Sequence, residues 1–192
     1  IISVASCFVL AALNLKSFTS AMLVPAMMVT FPGFASTMTF MFTVNSYALG
    51  VLMACVGAYC VRKIKFGWIP GILLFVLSMG VYQSYICLAA GILVTALCLD
   101  CFEENNFKEI IKTGIKYVTI LGSSMIGYVL ITKSVATQLD ASHGINEMGQ
   151  IELLRLPRLI MRCYKRILEF FTYKPYSYVS QSFQVINILV CI

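Results

Sequence analysis

Charge is what this sequence has least of. Only 11% of its 192 residues are Asp, Glu, Lys or Arg, while 60% are hydrophobic and the mean hydropathy is +0.90. Soluble domains carry about 25% charged and 45–50% apolar residues, so this chain cannot clothe itself in a solvated surface. That excludes a soluble enzyme, a nucleic-acid reader and a disordered linker, and leaves an integral membrane protein. Histidine is almost missing: His143 stands alone, and a single His is a poor basis for a metal centre. The cysteines include no second CxxC beside Cys98 and Cys101, so no disulfide framework or zinc site is implied. Cys7, Cys55, Cys60, Cys87 and Cys191 lie in apolar runs and read as small hydrophobes. The start has no basic n-region before a short apolar core, so it is not a signal peptide. Both 1–13 and 185–192 are apolar runs met part-way, and we expect a segment of a longer polytopic protein.

What is present is length enough to cross a bilayer several times. A crossing needs about 20 apolar residues at 1.5 Å each. Residues 1–15 read as the end of one crossing, stopped by Lys16, and 17–31 as a second, short one carrying Pro25. Pro32-Gly33 and the small polar run 36–39 form a loop, and 43–60 is a third crossing closed by Arg62, Lys63 and Lys65. Residues 66–99 contain no charge and are too long for one crossing, so they are expected to form two short helices. Their joint is placed at Gly80-Val81-Tyr82-Gln83-Ser84-Tyr85, where Gly80 permits a break. Asp100, Glu103, Glu104, Lys108, Lys112 and Lys116 then read as a charged loop, and 117–132 as a sixth crossing.

Parity puts Lys16, the Arg62 to Lys65 cluster and Lys108, Lys112 and Lys116 on one face, while 32–39 and 80–85 on the other contain no Lys or Arg. The positive-inside rule makes the first face cytoplasmic. Against it stand Lys133, Arg155, Arg158, Arg162, Lys165, Arg166 and Lys174, all in the outer segment 133–180. A helix over about 156–171 accounts for most of them. With Pro157 in its first turn, it sets Arg155, Arg158, Arg162, Lys165, Arg166 and Glu169 along one stripe and Leu156, Ile160, Cys163, Tyr164, Ile167 and Phe171 opposite. A basic face against an aliphatic and aromatic one is the pattern of a helix lying in the membrane interface. The bland role is anchoring on lipid headgroups; the sharper one is that Arg155, Arg158 and Arg162 grip a phosphate with their planar guanidinium forks.

Just before this helix, Asp140, His143 and Glu147 are spaced i, i+3, i+7 and would share a helical face, but Gly144 and Gly149 argue for a loop. Asp140 and Glu147 are the weak candidates for acid–base work. No cofactor is expected, and nothing supports a divalent metal. Gly67 and Gly71 make a GxxxG, which Pro70 turns into a helix start rather than a dimer face.

The runs Leu23-Val24-Pro25, Phe31-Pro32, 39–47 and Gly80-Val81-Tyr82-Gln83-Ser84-Tyr85, with Gly144-Ile145-Asn146-Glu147-Met148 ahead of the basic stretch, carry a resemblance. Together they are similar to the bacterial Gtr-type (GtrII-like) O-antigen glucosyltransferases, polytopic membrane enzymes of the GT-C class. The resemblance implies transfer of glucose or a similar hexose from a polyprenyl-phosphate donor to a lipid-linked or surface glycan, at the outer face of the bacterial cytoplasmic membrane. It also implies a principal catalytic acid in an early outer loop, expected upstream of Ile1. Tyr82, Gln83 and Tyr85, with Arg155, Arg158 and Arg162, are then the expected substrate-binding residues, and lipids and the two glycan substrates the expected partners. The rival is a flippase, transporter or polymerase of lipid-linked glycans; ion-coupled transport would want ionisable groups in mid-span, and the expected spans have none.

The expected architecture is therefore all-α: a transmembrane bundle over 1–132 with about six crossings, the first truncated. An outer loop with the amphipathic interfacial helix follows over 133–180, and a further transmembrane helix begins at 181–192.

Overall fold

Uniformly apolar sequence without water has one way to satisfy its backbone in single segments, and that is the α-helix. In the computed structural model the described residues are 1–30, 42–103, 107–138 and 156–172, and every element among them is helical. They are α1 (Ile2–Ala12), α2 (Phe18–Thr30), α3 (Val44–Lys63), α4 (Trp68–Val81), α5 (Tyr85–Glu103), α6 (Phe107–Gln138) and α7 (Leu156–Thr172). Three helices are long and apolar enough to cross a membrane, over Val44–Lys63, Tyr85–Phe102 and Phe107–Val135. The chain falls into two units, Ile1–Val135 and Ala136–Ile192, each taken by itself below.

Several expected boundaries move, each for a local reason. The first helix ends at Ala12, not Lys16, because Asn14 takes a left-handed backbone (φ 57°) and the amide of Leu15 turns back to the carbonyl of Leu10 at 3.1 Å. Asn tolerates that conformation better than most residues, and it closes the helix as glycine would. Pro25 sits inside α2, which packs on α1 and buries none of its own residues. The charge-free run 66–99 divides as expected, into α4 and α5 with a break at residues 82–84, though α5 has 19 residues and is not short. The charged loop is a correction: Asp100 and Glu103 finish α5, while Lys108, Lys112 and Lys116 lie inside α6. Lysine is a good helix former, and Glu109 in the first turn suits the positive end of the helix dipole. The crossing expected over 117–132 is likewise the middle of a 32-residue helix that runs past Lys133 to Gln138.

Helix α3 is the core of the first unit and packs against α1, α4 and α5. Its buried stripe is made of small residues, Gly50, Ala54, Gly57, Ala58 and Val61. Small residues let helix backbones approach closely where no hydrophobic effect drives them together. A methyl added at Gly57 would stand 2.7 Å from the Phe75 ring, and one at Gly71 2.4 Å from a Val61 methyl, so α3 and α4 touch almost backbone to backbone. The GxxxG of α4 is thus spent on its neighbour in the chain. Gly67 is tighter still: a Cβ there would lie 1.7 Å from the Cys60 carbonyl oxygen, which is why the α3–α4 turn takes glycine. Ser78 adds a buried hydrogen bond, its hydroxyl donating to the Gly50 carbonyl at 2.8 Å.

Candidate functional site

The two ends of the first unit differ in chemistry. At one end, the C-termini of α3 and α5 and the first turns of α6 carry Arg62, Lys63, Lys65, Asp100, Lys108, Lys112 and Lys116. Arg62 donates both terminal nitrogens to Asp100, at 2.8 and 2.7 Å, a two-pronged pair between α3 and α5. Tyr117 of α6 stands beside the guanidinium, so three helices meet around one cation. Lys63 donates to the Asn14 side chain and ties α1 to the same end.

About 22 Å away along α3 and α5, the other end is aromatic, and the side-chain charge described there is Lys133, beyond Tyr128 on α6. Here the structure brings together Tyr82, Gln83 and Tyr85, the residues singled out at the joint between α4 and α5. The Tyr82 ring stands edge-on to Tyr85 (centroids 5.6 Å) and to Tyr47 of α3 (6.1 Å). Gln83 donates its amide to the Tyr128 hydroxyl of α6 at 3.0 Å. Gly50 makes room for the cluster, since a Cβ at that position would lie 2.6 Å from the Tyr85 ring and 3.2 Å from Val81. Tyr82 and Gln83 are exposed, Tyr47, Tyr85 and Tyr128 half-buried. The Tyr85 hydroxyl itself is buried and has no hydrogen-bond partner among the described residues. Leaving such a group unbonded costs about 1–3 kcal/mol.

Four phenols and an amide offer several hydrogen-bond donors and acceptors, with aromatic faces suited to the apolar side of a ring. That arrangement can orient a hydroxyl-rich ligand. It offers no acid or base at neutral pH: the carboxylate residues in the described part of this unit, Asp100, Glu103 and Glu109, belong to the charged end. Reading the sequence alone missed Tyr47 and Tyr128. Tyr47 sits inside the apolar 43–60 run and Tyr128 inside 117–132, and a lone tyrosine in an apolar helix carries no signal of its direction.

In the second unit, α7 begins with Leu156 and Pro157 and runs to Thr172. Arg158, Arg162, Lys165 and Arg166 are exposed along it, but so are Ile160 (48%), Met161 (72%) and Tyr164 (65%). Among the described residues of this unit, then, Ile160 and Tyr164 on the apolar side of α7 are exposed. Arg155, Asp140, His143, Glu147, Glu104, the loop 32–39, the 144–148 motif and the helix expected from 181 lie outside the described residues.

The sequence model of the family described as glucosyl transferase GtrII matches residues 1–192. No curated protein and no solved structure matches the chain.

Proposed function

Because the chain belongs to the glucosyl transferase GtrII family, we propose that it contributes to a multi-pass membrane enzyme of the GT-C type. The reaction we infer takes glucose or a similar hexose from a polyprenyl-phosphate donor to an O-antigen-like surface glycan, at the outer face of a bacterial inner membrane. Beside the family, one observation carries this reading. Tyr47, Tyr82, Gln83, Tyr85 and Tyr128 converge from four elements at the aromatic end of the bundle. Basic residues concentrate at the opposite end, and the positive-inside rule makes that end cytoplasmic. The tyrosine end then faces outward, at the depth where a lipid-linked sugar presents its hydroxyls. Hydrogen bonds from Gln83 and the phenols would fix the orientation of the sugar for attack. The catalytic carboxylate belongs to other residues, with Asp140 and Glu147 as weak candidates.

Helix α7 supports the reading separately. A helix with guanidinium groups along one side and Ile160 and Tyr164 exposed on the other suits the membrane interface. There Arg158 and Arg162, with Arg155 before the helix, would bind phosphate oxygens. The rival, ion-coupled transport, finds no support among the described residues, since the middles of α3, α5 and α6 contain no ionisable carboxylate, amine or imidazole.

The test is transfer in membrane vesicles, with polyprenyl-phosphate glucose labelled in the sugar and lipopolysaccharide as acceptor. Label should move to the acceptor, and about ten-fold more slowly for Gln83→Ala, the effect of one lost orienting hydrogen bond. Transfer from a nucleotide sugar alone, with none from the lipid-linked donor, would overturn the proposal.

A further inference from the structure

A groove of about 480 Å³ lies between α4 and α6, within the size range of ligand sites. Trp68 and Ile72 of α4 line it, with Lys116, Thr119, Ile120 and Ser123 of α6. It belongs to the charged end of the bundle, for Lys116 precedes Tyr117, which stands beside Arg62. Two hydroxyls line it, but both are turned onto their own helix: Thr119 donates to the Ile115 carbonyl at 2.8 Å and Ser123 to that of Ile120 at 3.0 Å. What remains is an apolar wall with one ammonium group.

The depth of this groove in a bilayer follows from charge. Residues 117–132 of α6 carry no charge and cover about 24 Å. When α6 crosses a membrane, Lys116 therefore stands where hydrocarbon gives way to headgroups. Trp68, 46% exposed in the first turn of α4, occupies the level where amphipathic rings favour the interface. Lys108, Lys112 and Lys116 repeat every four residues, are all exposed, and lead along α6 to the mouth of the groove. Among the other cations of this end, Arg62 has Asp100, Lys63 has Asn14, and Lys65 lies 5.9 Å from the Phe66 ring.

Apolar below and cationic at the rim is the complement of one class of molecule. We propose that this groove binds an anionic glycerophospholipid, one acyl chain lying along Trp68, Ile72 and Ile120 and the phosphate held by Lys116 with Lys112. A soluble anion would gain nothing from the apolar wall, and a zwitterionic phospholipid would bring its own ammonium group up against the lysines. The site is distinct from the tyrosine end, whatever sugar that end handles.

Trp68 is the single tryptophan of the 192 residues, so it reports on this groove directly. The protein reconstituted in phosphatidylcholine bilayers is given equal fractions of dibrominated phosphatidylglycerol or dibrominated phosphatidylcholine, and quenching of Trp68 is measured. The anionic lipid should occupy the groove with about five-fold or greater preference, the contribution of roughly one lysine at a membrane surface. That preference should vanish in Lys112→Gln with Lys116→Gln. Thr119→Phe, which fills the groove and keeps both charges, should abolish it as well. Equal quenching by the two lipids, or a preference that survives the double substitution, would overturn the proposal. So would unbrominated polyprenyl monophosphate at about 1 mol% relieving the quenching, which would assign the groove to the sugar carrier instead.

Discussion

Single residues in this bundle matter according to what their Cβ would meet. Gly67→Ala pushes a methyl into the Cys60 carbonyl, an atom of the backbone that cannot step aside, and should destabilise by about 2 kcal/mol or more. At Gly80 and Gly91 nothing lies within 4 Å, and alanine there should be neutral or stabilising by up to ~1 kcal/mol. Thermal unfolding of purified protein in detergent would separate the two classes, and similar losses at all three sites would contradict the packing described. Gly50→Ala is the informative intermediate, because its obstacle is the movable Tyr85 ring. It should disturb the tyrosine cluster, and hence transfer activity, more than stability. Tyr128→Phe removes only the hydroxyl that accepts from Gln83. Its activity should match that of Gln83→Ala, and the double substitution should be no worse than either, since both delete one bond; additive losses would separate the two residues.

At the scale of elements, the Arg62–Asp100 pair fastens α3 to α5 across 38 residues of sequence. Its side chains are 10% and 25% exposed, so the attraction is only partly screened by water. Asp100→Asn leaves the guanidinium half-buried beside a neutral amide and should cost about 1–3 kcal/mol. Exchanging the two residues, Arg62→Asp with Asp100→Arg, should recover most of the loss, and failure to do so would mean that Tyr117 rather than the pair sets the geometry. The Ser78 hydroxyl is worth less: Ser78→Ala should cost about 0.6 kcal/mol, the usual value for a side-chain hydrogen bond between membrane helices. Helix boundaries followed local rules that were partly readable in advance. The break between α4 and α5 announced itself through Gly80 and a polar run inside a charge-free stretch. The extent of α6 did not, because lysines at four-residue spacing serve a helix end as well as a loop.

For the whole molecule, α5 makes the sharpest claim. Tyr85 begins it and Asp100 comes near its end, so its two ends should lie on opposite sides of the membrane. In a background without other cysteines, a membrane-impermeant maleimide should label Ser84→Cys from outside intact cells and Cys101 only after the membrane is opened. Labelling of both from one side would remove α5 as a crossing and, with it, the outward placement of the tyrosine cluster.

Composition alone determined the environment and the element type: with so little charge, burial in lipid is the only stable choice, and helices are how a single apolar segment satisfies its backbone there. Local order also marked Tyr82, Gln83 and Tyr85, because a polar turn between apolar runs is visible without knowing its neighbours. The partners of those residues were decided only in three dimensions. Gln83 and Tyr128 are 45 residues apart, Arg62 and Asp100 38, and nothing in a uniformly apolar helix tells which way one side chain points. That direction comes from the close approach of α3, α4 and α5 at glycine and alanine, which fixes the rotation of each helix and so selects the tyrosines that meet at one end and the charges that meet at the other.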